Sequence, residues 1–157
     1  MGREPTRRGE PLLLRAARRR QRTLTGATGN GRGETAAVRP HVLIVDDSAA
    51  VTGALRVLFE ETGHNVSVAT SVREAVEVAT TTPVDVMLLD LTLPDGDGLS
   101  VLSKLRETGR EPRVTAALTG HAEPEIAARC TTAGCRAVLV KPVPIGELLS
   151  RVREWTG

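Results

Sequence analysis

At 157 residues the chain has room for one domain of ordinary size with a tail, long enough to bury an apolar core. The longest apolar runs, such as Val86 to Leu89, fall far short of the ~20 residues that cross a bilayer, and Leu12 to Leu14 is too short for a secretory core and runs straight into Arg-rich sequence. Two cysteines, Cys130 and Cys135, make no disulfide framework, so the expectation is a soluble, cytoplasmic chain with reduced thiols and no membrane span.

The formal charge of +2 conceals an asymmetry. Residues 1–39 carry ten Arg and three Glu, about +7, whereas residues 40–157 carry eleven Lys and Arg against sixteen Asp and Glu, about −5. Residues 1–39 are rich in Arg, Gly, Thr and Pro without a sustained apolar period, and read as a disordered basic arm. Three readings of the Arg15 to Arg22 cluster stay open: weak, salt-sensitive electrostatic contact with nucleic acid, a solvated arm, or a translation start nearer Val38. The stretch Gly26 to Gly33 approaches a phosphate loop in spacing, but Arg32 and Gly33 stand where Lys and Ser or Thr are needed, so it reads as a linker.

From His41 onward short β-branched or apolar runs alternate with helix-length amphipathic segments, the pattern of βαβ units on a parallel sheet. The strands fall at Val42–Val45, Val66–Ala69, Val84–Leu89, Val114–Leu118 and Ala137–Val140, nearly continuous apolar runs as expected for strands covered on both faces. The first helix spaces Val51, Ala54, Leu55, Leu58 and Phe59 by threes and fours, with Asp47 or Ser48 as its cap and Gly63 as its stop. The second opens on Ser71-Val-Arg-Glu74, a reciprocal capping pattern, buries Ala75, Val76 and Ala79, and ends before Pro83. The third carries Leu99, Leu102 and Leu105; the fourth starts at Pro124; the fifth carries Ile145, Leu148, Leu149 and Val152.

In one parallel sheet, Asp46 and Asp47 end the first strand, Asp90 the third, Thr119 the fourth and Lys141 the fifth, so all five share the carboxyl edge where open α/β sheets hold ligands. Three carboxylates held together repel one another unless a cation lowers the local potential. Few, oxygen-only ligands favour Mg²⁺, with Mn²⁺ able to substitute. Asp90 then reads as a nucleophile toward phosphorus, with the Lys141 ammonium and Thr119 hydroxyl stabilising phosphoryl oxygens. Asp95 to Gly98 lacks the ligand series of a calcium loop and reads as a turn, and Cys130, Cys135 and His121 lack the paired spacing of a structural zinc site.

The runs Val42-Leu-Ile-Val-Asp-Asp47, Val86-Met-Leu-Leu-Asp-Leu-Thr-Leu-Pro-Asp-Gly-Asp-Gly98, Leu118-Thr-Gly120 and Val140-Lys-Pro142 resemble the receiver domain of two-component response regulators, over roughly His41 to Thr156. The resemblance implies a flavodoxin-like doubly wound (βα)5 fold of strand order 2-1-3-4-5 across a domain of residues 40–157, with a cis bond between Lys141 and Pro142. It further implies Asp90 as phosphoacceptor with Thr119 and Lys141 assisting, and metal held by Asp46, Asp47, Asp90 and the Thr92 backbone carbonyl. The implied partners are a sensor histidine kinase or phosphotransfer protein and a downstream protein target still to be identified. The positions tied in that family to phosphate lifetime are Thr92 and His121. One departure stands out: Val138 occupies the place where many members carry a switching Tyr or Phe.

Sixteen residues follow Lys141, enough for the fifth helix, so the expectation is a receiver without a fused DNA-binding domain, a phosphoacceptor signalling protein rather than an enzyme. It would act by phosphorylation-dependent protein binding or phosphorelay. Two alternatives remain open: an adaptor that works without phosphate, and a haloacid-dehalogenase-like phosphatase, which wants a second Asp where Thr92 stands.

Overall fold

The structure, a computed structural model, describes residues 39–156, so the readings on the basic arm and its Gly-rich stretch lie outside the described residues. The elements in chain order are β1 (His41–Val45), α1 (Ala49–Glu61), β2 (Asn65–Ala69), α2 (Val72–Thr81), β3 (Val86–Asp90), β4 (Thr92–Leu93), β5 (Gly96–Asp97), α3 (Leu99–Thr108), β6 (Val114–Thr119), α4 (Pro124–Ala133), β7 (Ala137–Val140) and α5 (Ile145–Thr156). Five strands form one parallel sheet in the order β2-β1-β3-β6-β7, which is the expected 2-1-3-4-5 arrangement, and β4 and β5 pair separately as a small antiparallel ribbon.

Because side chains alternate along a strand, the continuous apolar runs supply two cores at once. Leu43, Val45, Met87, Leu89 and Ala117 point to the side covered by α2, α3 and α4, where they meet Ala75, Val101, Leu102, Leu105 and Cys130. Val42, Ile44, Val86, Leu88, Ala116 and Leu118 point to the side covered by α1 and α5, where they meet Leu55, Phe59, Leu148, Val152 and Trp155. Replacing a fully buried strand residue such as Leu88 by Ala would cost about 2–5 kcal/mol.

Several local expectations are corrected. The third strand begins at Val86 rather than Val84: the Val84 and Asp85 carbonyls accept from the Arg113 and Val114 N–H groups at 3.2 and 2.9 Å and the Asp85 carboxylate accepts from the His41 N–H at 2.8 Å, but the paired register starts at Val86, with Val84 buried just ahead of it. Helix α1 turns Thr52, Leu55 and Phe59 to the sheet, so Val51 is 36% exposed and lies with Ala54 on the flank. There they line an apolar cleft of about 510 Å³ with Leu118, Val143 and Leu148. Ile145, which opens the apolar spacing of the fifth helix, is 53% exposed at the first turn of α5. His64 is buried with its ring edge-on to Phe59, and its Nδ1 lies 3.2 Å from the Thr62 hydroxyl.

The caps of the helices bear on the site. Ser48 caps α1, accepting from the Val51 N–H at 3.3 Å, which leaves Asp47 free of that duty. In α2 the Ser71 hydroxyl accepts from the Glu74 N–H at 3.1 Å, but Glu74 reaches back to the Thr70 N–H at 2.6 Å rather than to Ser71. The next two amides, Val72 and Arg73, donate to the Asp95 carboxylate at 2.7 and 3.0 Å, and these bonds hold its pKa below the ordinary Asp value. Asp95 sits in the β4–β5 turn, so α2 and the segment after Asp90 are tied together.

Gly98 begins the entry to α3 with its N–H on the Leu91 carbonyl at 2.9 Å, and a Cβ there would lie 2.2 Å from the Asp90 carbonyl oxygen. Its backbone is helical, with φ −55°, so the requirement for glycine is one of space and not of dihedral freedom. Gly98→Ala is therefore expected to lower stability by about 1–3 kcal/mol through overpacking, read as a fall in the thermal midpoint. The depressed pKa of Asp95 means that its contribution is present above the unfolded value and lost as pH falls through the folded one. The gap in thermal midpoint between wild type and Asp95→Asn should consequently be widest near neutral pH and close below about pH 4.

Candidate functional site

The order of the sheet reverses between β1 and β3, so their carboxyl ends flank the switch point at which such sheets leave a crevice. Asp46 follows β1 and is held there by its own N–H, which donates to the Ala69 carbonyl at 3.0 Å. Its carboxylate Oδ1 accepts from the Ser48 N–H at 2.9 Å, which fixes the side chain and starts the turn into α1. Asp90 closes β3, with Oδ1 accepting from the Thr92 N–H at 3.1 Å. Asp46 is 1% and Asp90 7% exposed, whereas Asp47 is open to solvent.

One carboxylate oxygen from each of Asp46, Asp47 and Asp90 lies within 4.8 Å of the others, and this is the one such acidic or metal-ligating group of three among the described residues. Lys141 arrives from the end of β7, its backbone N–H donating to the Thr119 carbonyl at 2.8 Å. Its Nζ lies 2.9 Å from Asp46 Oδ2 and 3.3 Å from Asp90 Oδ2, so one ammonium bridges the two buried acids. Partial burial pulls the pKa of Lys141 down, but the hydrogen bonds and charges of Asp46 and Asp90 outweigh it and leave the pKa raised. Lys141–Pro142 is cis, as the resemblance implies. Thr119 ends β6 and is buried, with its hydroxyl accepting from the His121 N–H at 3.1 Å.

The five residues placed at strand ends from the sequence, Asp46, Asp47, Asp90, Thr119 and Lys141, therefore lie at one edge of the sheet, on or beside four adjacent parallel strands. Oxygen ligands alone, two of them shielded from water, suit a hard divalent cation such as Mg²⁺. His121 is exposed, its imidazole 3.8 Å from Glu123, and not gathered with the cysteines. Burial and then the neighbouring Cys130 push the Cys135 thiol up to about 12, and burial likewise raises Cys130, so neither ionises readily.

Sequence reasoning did not find the surroundings of Asp90. In the β4–β5 ribbon Thr92 pairs with Asp97 and Leu93 with Gly96. Asp97 accepts from the Leu99 N–H at 2.9 Å and forms an ion pair with Arg129 of α4. Strands of two residues show no periodicity, and the one available signal was the alternation Asp95-Gly-Asp-Gly98, whose carboxylates suit helix N-termini.

The family model for the response regulator receiver domain matches residues 42–153. The chain is 36% identical over 113 residues to the KDP operon transcriptional regulatory protein KdpE of Escherichia coli, covering 72% of this chain and 49% of that one. It is 33% identical over 137 residues to the transcriptional regulatory protein PdtaR of Mycobacterium tuberculosis, covering 82% and 66%. Among solved structures, the receiver domain of the Francisella response regulator 1452 superposes with a TM-score of 0.69 at 30% identity, over 74% of this chain and 96% of that one. A CheY-like receiver domain protein from Methanospirillum hungatei gives 0.69 at 27% identity, over 74% and 93%. The chain spans about half the length of KdpE, and no helix among its described residues is long and apolar enough to cross a membrane. The carboxyl-edge site, the strand order and these likenesses together make the chain a member of the response regulator receiver family, a signalling domain of two-component systems.

Proposed function

We propose that this domain accepts a phosphoryl group on Asp90 from a phosphohistidine of a sensor kinase or phosphotransfer protein, and signals in the cytoplasm by phosphorylation-dependent protein binding or by passing the group onward. The observation that carries the reading is the single ammonium of Lys141 shared by two buried carboxylates beside an exposed third. That arrangement is costly to maintain for stability alone, since burying charges forfeits hydration that the pairing only partly returns.

In this reading Asp46, Asp47, Asp90 and the Thr92 carbonyl would hold Mg²⁺, which when bound would supply charge neutralisation for the oxygens of the incoming group. A carboxylate oxygen of Asp90 attacks phosphorus, the bond from phosphorus to the donor imidazole nitrogen breaks, and its electron pair stays on that nitrogen. The Thr92 N–H already holds Asp90 Oδ1 and so orients the carboxylate. The Lys141 ammonium shifts from the carboxylates to a phosphoryl oxygen, and the Thr119 hydroxyl, which now only accepts, donates to another. The product is an acyl phosphate, which water can cleave to return the free carboxylate; the domain thus promotes only its own modification. Val138 is the observation that favours a second reading, an adaptor independent of phosphate, because the side chain is partly buried and aliphatic.

Incubation with acetyl phosphate and Mg²⁺, read by intact mass, should add one acid-labile phosphoryl group to the wild type and none to Asp90→Asn. An unlabelled wild type, even with a docked kinase, would favour the adaptor reading, and equal labelling of the mutant would remove Asp90 from its role. Lys141→Ala should label at least tenfold more slowly while binding Mg²⁺ more tightly, since the ammonium that pairs with Asp46 and Asp90 repels a divalent cation held by the same carboxylates. Calorimetric titration with Mg²⁺ checks the second effect.

A further inference from the structure

Helix α4 is thinly attached. Among its residues only Cys130 is buried, with Ile126 and Ala133 packing partly. Two arginine contacts supplement that packing. Arg106 of α3 donates to the Ala133 carbonyl at 2.6 Å while its Nε meets Glu111 at 3.0 Å, and Arg129 of α4 itself pairs with Asp97. The first contact ties helix to helix. The second ends on the ribbon that follows the phosphoacceptor.

From Asp97 the connection to the site is short and made of backbone. Asp97 is the ladder partner of Thr92, and the Thr92 N–H holds Asp90 Oδ1 at 3.1 Å. The next residue, Gly98, donates to the Leu91 carbonyl at 2.9 Å, with no space between it and the Asp90 carbonyl. On the far side Asp95 is fixed to the N-terminus of α2. The ribbon is thus gripped at its turn by α2, through Asp95, and at its open end by Arg129, through Asp97, the ladder partner of Thr92.

We propose that Arg129 is a positioning residue: from α4 it holds Asp97 and, through the β4–β5 ribbon, sets Thr92 against Asp90, so that the state of the site and the placement of α4 are coupled. The inference rests on the phosphoacceptor reading, in which the Thr92 carbonyl is a metal ligand. Coupling of this kind is reciprocal, so ordering the ribbon by a bound cation steadies α4, and a partner that grips α4 alters the site. It also offers a route out of the site that does not pass through Val138. Both side chains of the pair are substantially exposed, at 57% and 43%, so the effect is expected to be modest.

The test uses the full chain and Mg²⁺ alone as probe, with half-saturation measured by calorimetry and amide exchange followed over residues 124–133. Arg129→Gln is expected to raise the half-saturating Mg²⁺ concentration about two- to fivefold and to abolish the Mg²⁺-induced protection of α4. The direction is diagnostic, because loss of a positive charge near an acidic site would by long-range electrostatics alone tighten Mg²⁺ binding. Arg106→Gln loosens the same helix without touching the ribbon, and should leave half-saturation unchanged. In an Asp97→Asn background Arg129→Gln should add nothing further. Unchanged or tighter binding in Arg129→Gln, or an equal shift in Arg106→Gln, would overturn the coupling while the wild type still labels on Asp90. A wild type that neither binds Mg²⁺ nor labels would overturn the site reading and the coupling together.

Discussion

Two carboxylates buried at the edge of a sheet need a positive charge, and in this chain it comes from Lys141, 95 residues along from Asp46. An isolated buried carboxylate would lose hydration worth several kcal/mol or else bind a proton. The ammonium can reach both acids only if β7 lies two places from β3 with its carboxyl end at the same height, which the registers Asp90↔Leu118 and Thr119↔Val140 bring about. A slip of one residue in either ladder would turn the strand side chains to opposite faces and carry the charged ends out of register. The two apolar cores, one on each face, therefore set the electrostatics of the edge as much as they set stability.

The same edge explains the crowding after Asp90. The proposed role of Asp90 requires its carboxylate to be held in one orientation, and backbone groups hold it and its surroundings: the Thr92 N–H on the carboxylate, the Gly98 N–H on the Leu91 carbonyl, and the Leu91 N–H on the Leu118 carbonyl at 3.2 Å. Neutral backbone donors orient without adding charge to a site whose charge balance is already delicate. The ribbon's own acids, Asp95 and Asp97, face away from the cluster, toward helix N-termini and Arg129, where their charges are compensated.

How much of this could be read from the residues follows from the range of the interactions. Strands covered on both faces write themselves as apolar runs, so β1, β2, β6 and β7 fall within a residue of expectation, and the parallel alternation places Asp46, Asp47, Asp90, Thr119 and Lys141 on one edge. Val84 misled because burial and ladder membership are different properties, and a run of apolar letters reports only the first. Val51 misled because a helical period fixes a stripe but not which edge of the stripe meets the sheet. Asp95 and Arg129 reach partners 23 and 32 residues away, and nothing in their neighbourhoods distinguishes them from ordinary surface charges.

Lys141 differs from the acids it serves in being about one third exposed. A fully buried ammonium would be trapped by the cost of withdrawing it from its partners, and a fully exposed one would be too screened to hold them. At intermediate depth the ammonium pairs with Asp46 and Asp90 while part of it faces solvent, so the proposed transfer to a new anion at the crevice mouth does not require unburying the core beneath it. The acids cannot move in the same way, since each is fixed by a backbone N–H through its other oxygen. The site is therefore built of rigid anions and one adaptable cation, a division suited to admitting a dianionic group: the carboxylates keep their geometry while the positive charge is redistributed among them and the newcomer.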